Sequence, residues 1–354
     1  MNVMFTRFLS LITNDVGIDL GTANTLIHVR GKGIVIRQPS VVARAKKGKA
    51  ILAVGEEARK MLGKTPSTIE AIKPLRGGVI ADFDATAAML KHWIKVIHTG
   101  SSWFPKIPRP RVAVGIPSGV TEVERRAVQQ AALSAGAREA FLVEEPMASA
   151  IGSKIPVTEA SGHIIVDIGG GTTEIAVISL GGIVINKSLR MAGEEMTDSL
   201  VGFSRSKYGL IIGENTAEEM KIKIGSATPI DKEEKSLVFV ARGRDLETGL
   251  PKSVKFYSNE VREALSQVVN QIVYAVSEAI EETPPELISD LIKHGLIMTG
   301  GGSQLKGLTK LVADKIKMPV WLAENPMETV VRGCAIVLEN QELLNRVKVV
   351  GGLR

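Results

Sequence analysis

The 354-residue chain contains one cysteine, Cys334, so no intrachain disulfide can form and no cysteine-rich metal site can be built. A reducing compartment fits that composition. No apolar run reaches the roughly 18 residues that a spanning helix needs. No block of Lys and Arg is long enough to read as a nucleic-acid arm, so the formal charge of +6 reads as general basicity. It also suits an anionic membrane surface. His28, His92, His98, His163 and His294 stand singly along the chain, which argues against a histidine metal cluster. The apolar N-terminus lacks a basic n-region and a small-residue cleavage site, and Arg7 interrupts it, so it is a poor signal peptide.

Glycine is in excess. The chain has 35, about 10% against an average near 7%, which points to tight turns and close backbone approach. Short apolar runs at Val16–Asp19, Val112–Ile116, Ile164–Ile168 and Gly295–Met298 each end at a glycine- or proline-bearing turn. Between them, Thr121–Gly136, Glu214–Ile224, Tyr257–Glu282 and Gln304–Ile316 have helical periodicity. This alternation predicts α/β domains, and the length predicts two.

An internal repeat carries more information. The stretch Val16-Gly-Ile-Asp-Leu-Gly-Thr-Ala-Asn-Thr25 matches Ile164-Ile-Val-Asp-Ile-Gly-Gly-Gly-Thr-Thr173. Asp19 aligns with Asp167, Gly21 with Gly169 and Thr25 with Thr173, at the same offset each time. Each unit ends a hydrophobic strand with an Asp and follows it with a glycine turn. Glycine lets backbone N–H groups point at an anion, as a phosphate cradle requires. An Asp beside phosphates makes sense when it holds a divalent cation, directly or through its water shell. Two such hairpins, one from each half, are expected to clamp a polyphosphate. Two further elements fit that chemistry. Met298-Thr-Gly-Gly-Gly-Ser303 reads as a strand, three glycines and then a helix. In Glu144-Glu-Pro-Met-Ala-Ser-Ala-Ile-Gly152, Pro146 favours a helix start just after two acids.

These four segments, in this order, resemble the actin/DnaK-chaperone/sugar-kinase ATPase superfamily, and within it the bacterial actins of the MreB family very closely. The resemblance runs from about Asp15 to Glu339. It implies an α/β, actin-like fold with two related domains, each carrying a smaller subdomain, facing across a nucleotide cleft. The expected division is a membrane-binding segment 1–14, domain I over 15–155 with a small subdomain near 37–77, domain II over 156–345 with one near 186–256, and a tail 346–354.

By motif, the resemblance gives Gly21, Thr22, Ala23 and Asn24 as the first phosphate loop and Gly169, Gly170, Gly171 and Thr172 as the second. Asp19 and Asp167 become magnesium-water ligands. Glu145 and Thr172 orient the water that attacks the γ-phosphate, with Glu144 left as a solvated or ion-paired neighbour. Glu218 and Lys221, on one helix face at i, i+3, become adenosine contacts, and Gly300, Gly301 and Gly302 the adenosine loop. An ordinary helix-surface ion pair is the plainer reading of Glu218 and Lys221. The implied cofactors are ATP and Mg²⁺.

Membrane contact has its own signal. At about 100° per residue, Met4, Phe5, Phe8, Leu9, Leu11 and Ile12 share one face, while Asn2, Thr6, Arg7, Ser10 and Thr13 share the other, with Val3 as the exception. Trp103 and Phe104 sit in a Gly/Pro-bounded stretch beside Lys106 and Arg109, a composition that suits a lipid interface. The resemblance therefore implies a slow ATPase that polymerises in paired homopolymeric filaments on the inner face of the cytoplasmic membrane. Such filaments organise peptidoglycan synthesis and maintain rod shape, with RodZ-, MreC- and MreD-type shape proteins as partners and no nucleic acid. A close paralogue of the same class is the nearest alternative. A sugar or acetate kinase lacks a convincing catalytic Asp here, a chaperone ATPase needs a substrate domain, and the division actin FtsA is expected to carry its anchor at the other end.

Overall fold

The computed structural model describes residues 15–99, 110–229 and 237–349. The expected membrane residues Met4, Phe5, Phe8, Leu9, Ile12, Trp103 and Phe104 lie outside these. The chain divides into two compact units. One runs up to Ser161 and takes in Ile178–Val184 and the stretch from Met327 onward; the other is Gly162–Val177 with Ile185–Pro326.

In chain order the first unit contains β1 (Val16–Leu20), β2 (Asn24–Val29), β3 (Gly33–Pro39), β4 (Val42–Ala45), β5 (Ile51–Val54), α1 (Glu56–Arg59), β6 (Ile69–Ile72), β7 (Leu75–Arg76) and β8 (Val79–Ile80). Then come α2 (Phe83–Thr99), β9 (Arg111–Ile116), α3 (Glu122–Ser134), β10 (Glu139–Glu144) and α4 (Glu145–Gly152). The main sheet has the order β10-β9-β1-β2-β3, with β1 antiparallel to β2 and parallel to β9. Strand alternation explains its two faces. Val16, Ile18 and Leu20 point into a core shared with Met89, Leu90 and Trp93 of α2 and Val128, Ala131 and Ala132 of α3. The alternate positions carry Gly17, Asp19 and Gly115, so the other face admits close neighbours and a polar group. A separate three-stranded sheet, β5-β4-β6, lies within the first unit. The expected start of α3 is a capping box: Thr121 N–H donates to the Glu124 carboxylate at 2.7 Å, and Glu124 N–H donates to Thr121 Oγ1 at 3.3 Å.

The second unit is built on β11 (His163–Ile168), β12 (Thr173–Ser179) and β13 (Gly182–Leu189), of which Ile178–Val184 groups with the first unit, followed by α5 (Gly193–Tyr208), β14 (Leu210–Ile211), α6 (Glu214–Ile224), β15 (Val238–Asp245) and β16 (Pro251–Tyr257). After these come α7 (Ser258–Glu281), α8 (Pro285–His294), β17 (Leu296–Thr299), α9 (Leu308–Ile316) and β18 (Val320–Leu322). Its main sheet reads β13-β12-β11-β17-β18, with β17 parallel to both β11 and β18. Ranked by sequence, both main sheets have the same strand order, so the repeated motif marks a repeated architecture. A three-stranded sheet, β14-β15-β16, accompanies the second.

Two sequence expectations differ from the structure. The helix expected over Gln304–Ile316 is a 3₁₀ turn, Gly302–Gln304, followed by α9 from Leu308. Gly307, at φ +75°, separates them because a Cβ there would overlap the Thr228 hydroxyl. The second difference is the assignment of 156–345 to one domain. The last two helices, α10 (Thr329–Glu339) and α11 (Gln341–Val347), belong to the first unit. The α4–α10 contact explains this return. A Cβ on Gly333 would overlap the Ala148 carbonyl, and one on Gly152 the Thr329 carbonyl, so the two helices meet backbone to backbone.

Candidate functional site

In the first unit the Asp-bearing turn is held from behind by side chains. Ser40 Oγ donates to the Gly21 carbonyl at 2.6 Å and lies 2.8 Å from the Thr25 hydroxyl. Ser40 N–H reaches the Ala23 carbonyl at 3.0 Å. Thr22 accepts from the Gly78 N–H at 3.0 Å and is buried, so its hydroxyl faces the protein. A Cβ at Gly21 would lie 2.7 Å from the Asn24 carbonyl, so the turn cannot tighten around any other residue. The backbone from Gly21 to Asn24 is thus a fixed surface, with Ala23 exposed on it.

Asp19 and Glu145 come to the same place from different elements. Asp19 on β1 is registered with Gly115 on β9, and the Glu145 Cγ lies 3.5 Å from where a Gly115 Cβ would stand. Pro146 within the first turn and the extended Glu144 start α4 at this point, which aims Glu145 over β9. Glu144 is registered with Ile116 on β9, one residue beyond Gly115. Cys334 sits beneath, wholly buried, and burial pushes its thiol well up, with the Asp19 and Glu145 charges adding to the effect. It stays a protonated, inert filler.

In the second unit the glycine turn is closed by Gly169 N–H donating to the Thr172 carbonyl at 2.9 Å. The N-terminus of α5 fixes the turn: Gly193 N–H donates to the Gly169 carbonyl at 3.2 Å and Glu194 N–H to the Gly170 carbonyl at 2.7 Å. Gly171 and Thr172 are buried, and Thr173 Oγ1 donates to the Met191 carbonyl at 2.7 Å. Asp167 is buried on β11, registered with Thr299 of β17. Immediately after Thr299, Gly300 takes φ +81°, and a Cβ there would overlap the Ile168 carbonyl and Asp167 Oδ1. Gly302 presses on the Ile168 side chain, where a Cβ would stand 2.5 Å from Cγ2. Ser303 Oγ ties back to the Gly300 carbonyl at 2.6 Å. The expected cation residue and the expected adenosine loop therefore abut.

Glu218 and Lys221 are more than a helix-surface pair. Lys221 Nζ donates to the Gly193 carbonyl at 2.7 Å, to Thr197 Oγ1 at 3.1 Å and to Glu218 Oε2 at 2.6 Å. Its three protons are all engaged, and they pin α6 to the start of α5, hence to the second glycine turn. Glu218 also lies 2.5 Å from the Thr197 hydroxyl and keeps its side chain 43% exposed, so it presents an accessible carboxylate.

Sequence reasoning missed Ser40, Gly115, Gly193 and Thr197. Ser40 and Thr197 carry no local signature, since Ser40 acts on a turn nineteen residues earlier and Thr197 meets Glu218 and Lys221 on the following helix. Gly193 did leave one: Ala192-Gly193 ahead of Glu194 and Glu195 is a small-residue helix start.

The chain is similar to known proteins over most of its length. The family model described as MreB/Mbl protein matches residues 13–346. The Cell shape-determining protein MreB of Escherichia coli (strain K12) is 49% identical over 95% of this chain and 96% of its own length. The Cell shape-determining protein Mbl of Bacillus subtilis (strain 168) is 46% identical over 96% and 99%. Among solved structures, MreB5 of Spiroplasma citri bound to ADP superposes with a TM-score of 0.86 at 36% identity, covering 94% of this chain and 98% of that one. A MamK double helical filament, at 22% identity and a TM-score of 0.76, shares the fold.

Proposed function

The chain belongs to the MreB/Mbl family, and from that membership we propose that it is an ATP-dependent, actin-like filament protein. In this reading it polymerises on the inner face of the cytoplasmic membrane, organises peptidoglycan synthesis and so maintains rod shape. The observation that carries the proposal is the Asp–glycine turn found at the same place in two sheets of the same strand order, Asp19 to Asn24 and Asp167 to Thr172. The names of the relatives support the cellular role, and MreB5 of Spiroplasma citri solved with ADP and with AMPPNP supports adenine nucleotides.

Each turn offers backbone to phosphate oxygens, and each is preceded by a carboxylate. Mg²⁺ fits Asp19 and Asp167, which are hard oxygen donors, and Gly300 leaves Asp167 Oδ1 room that a side chain would fill. When bound, the ion neutralises charge on the phosphates. Glu145 and Thr172 orient the attacking water, Glu218 and Gly300 to Gly302 receive the adenosine, and Lys221 holds the second turn in position. The site supplies neither a strong base nor an arginine finger among the assigned residues, so turnover is slow. Partners of the RodZ, MreC and MreD type, and lipid contact through Met4, Phe5, Phe8, Leu9, Ile12, Trp103 and Phe104, complete the proposal.

Glu145→Ala separates binding from hydrolysis. The expected result is nucleotide affinity close to the parent's with phosphate release reduced by about 10²-fold, the low end for a positioned proton-transfer group. Release at the parental rate removes Glu145 from the chemistry.

A further inference from the structure

Among the described residues, the face of the first unit's main sheet that carries Gly17 and Gly115 is covered only in part. α10 lies over β1 and β9, where a Cβ on Gly17 would stand 2.8 Å from the Ala335 nitrogen. Beside α10, over β2 and β3, a groove of about 680 Å³ remains open. His28 and Ile34, a cross-strand pair, form its floor, and Ala335 and Ile336 form the α10 wall. Glu328, held by Arg37 and by Arg332, lies at one end and Glu339 at the other. Two strands are about 10 Å wide, the strip one further helix covers. One polar atom lining this groove, His28 Nδ1, is buried without a hydrogen-bond partner among the described residues. That pattern marks a surface completed by something else.

The point where the chain enters the fold identifies the occupant. Arg30 lies 3.9 Å from Asp15 and 3.9 Å from Glu339, so the first described residue stands at the Glu339 end of the groove. The fourteen residues before it are the segment whose sequence places Met4, Phe5, Phe8, Leu9 and Ile12 on one helical face. As a helix, Met4–Ile12 spans about 13 Å and α10 about 16 Å, so the two can lie side by side. We propose that residues 1–14 dock in this groove along α10, apolar face down, whenever they are not on lipid. Groove and membrane then compete for the same side chains, and a free subunit is held off the membrane by its own surface. The proposal rests on the amphipathic reading of the segment and, for its lipid consequence, on the membrane role proposed above.

The test uses full-length protein, unpolymerised and without nucleotide. Phe8→Cys combined with Ile336→Cys is treated with a short bis-maleimide cross-linker; Phe8→Cys with Val123→Cys is the control. Val123 is exposed on α3, which packs against the opposite face of the sheet, and native Cys334 is buried. Docking predicts an intramolecular cross-link in the first pair, absent from the second and lost on adding phosphatidylglycerol vesicles. Equal cross-linking in both pairs, or none in the first, overturns it. In a second arm, Ile336→Glu closes the groove to an apolar helix. If the parent segment is about 90% docked, vesicle binding rises roughly tenfold, because apparent affinity scales with the released fraction. The added negative charge alone would lower binding to anionic vesicles, so an increase cannot come from charge. Parental binding by Ile336→Glu, with unchanged melting, overturns the competition. A cross-link in the first pair with no vesicle binding by any variant supports docking and removes the membrane role instead.

Discussion

At the residue scale, glycine does two different jobs here, and both are visible as what a Cβ would meet. Gly17, Gly152 and Gly333 let helices reach backbone. Gly21 and Gly300 instead shape the ends of strands that carry Asp19 and Asp167. Gly300 combines a left-handed φ of +81° with contact against Asp167. Gly300→Ala is therefore expected to lower stability by about 1–3 kcal/mol from backbone strain alone. Displacement of Asp167 adds a weaker magnesium dependence of nucleotide binding. Thermal melting reads the first effect and nucleotide titration at several magnesium concentrations the second. A variant with parental values in both contradicts the packing.

The aligned Asp19 and Asp167 were legible from sequence because a repeat is a comparison within one chain. The role of Lys221 was not. Its i, i+3 spacing to Glu218 is the commonest pattern on any helix surface, and its partners Gly193 and Thr197 lie more than twenty residues away.

At the element scale, strand ends and long helices matched their sequence signals closely. The 24-residue α7 runs Ser258–Glu281 where periodicity gave Tyr257–Glu282, since Val261, Leu265, Val268, Ile272, Val276 and Ala279 make an unbroken buried stripe. Gln304–Ile316 misled because Leu305 and Leu308 continue a helical spacing that Gly307 breaks.

The start of α7 is joined to the end of α5 by Tyr208, whose hydroxyl donates to the Glu260 carboxylate. Burial, then the hydrogen bond and charge of Glu260, push Tyr208 up to about 12 from its ordinary 10. An unfolded tyrosine loses its proton from pH 10, whereas the folded one keeps it to about 12. The stabilisation from this bond is thus fully present below pH 10 and is lost as pH rises through about 12. Ultraviolet titration of the three tyrosines should show one late transition that Tyr208→Phe removes. A titration with no such late transition contradicts the contact.

At the scale of the whole molecule, the two main sheets repeat one strand order, yet the chain does not divide at its midpoint. α10 crosses back to the first unit and lies beside Asp19 and Glu145, with Cys334 between them. A reading that moves along the sequence assigns α10 to its neighbours, because only three-dimensional packing shows that Gly333 meets Ala148. The matched strand order also frames the functional claim. Under the proposed function, each of the two Asp–glycine turns is expected to contribute to nucleotide binding.

Titration of a fluorescent ATP analogue with Mg²⁺ into the parent, Asp19→Ala and Asp167→Ala tests this most directly. The expected result is one site in the parent and weaker, less magnesium-dependent binding in both variants, with melting close to the parent's in the absence of nucleotide. Parental affinity and magnesium dependence in either variant would contradict it.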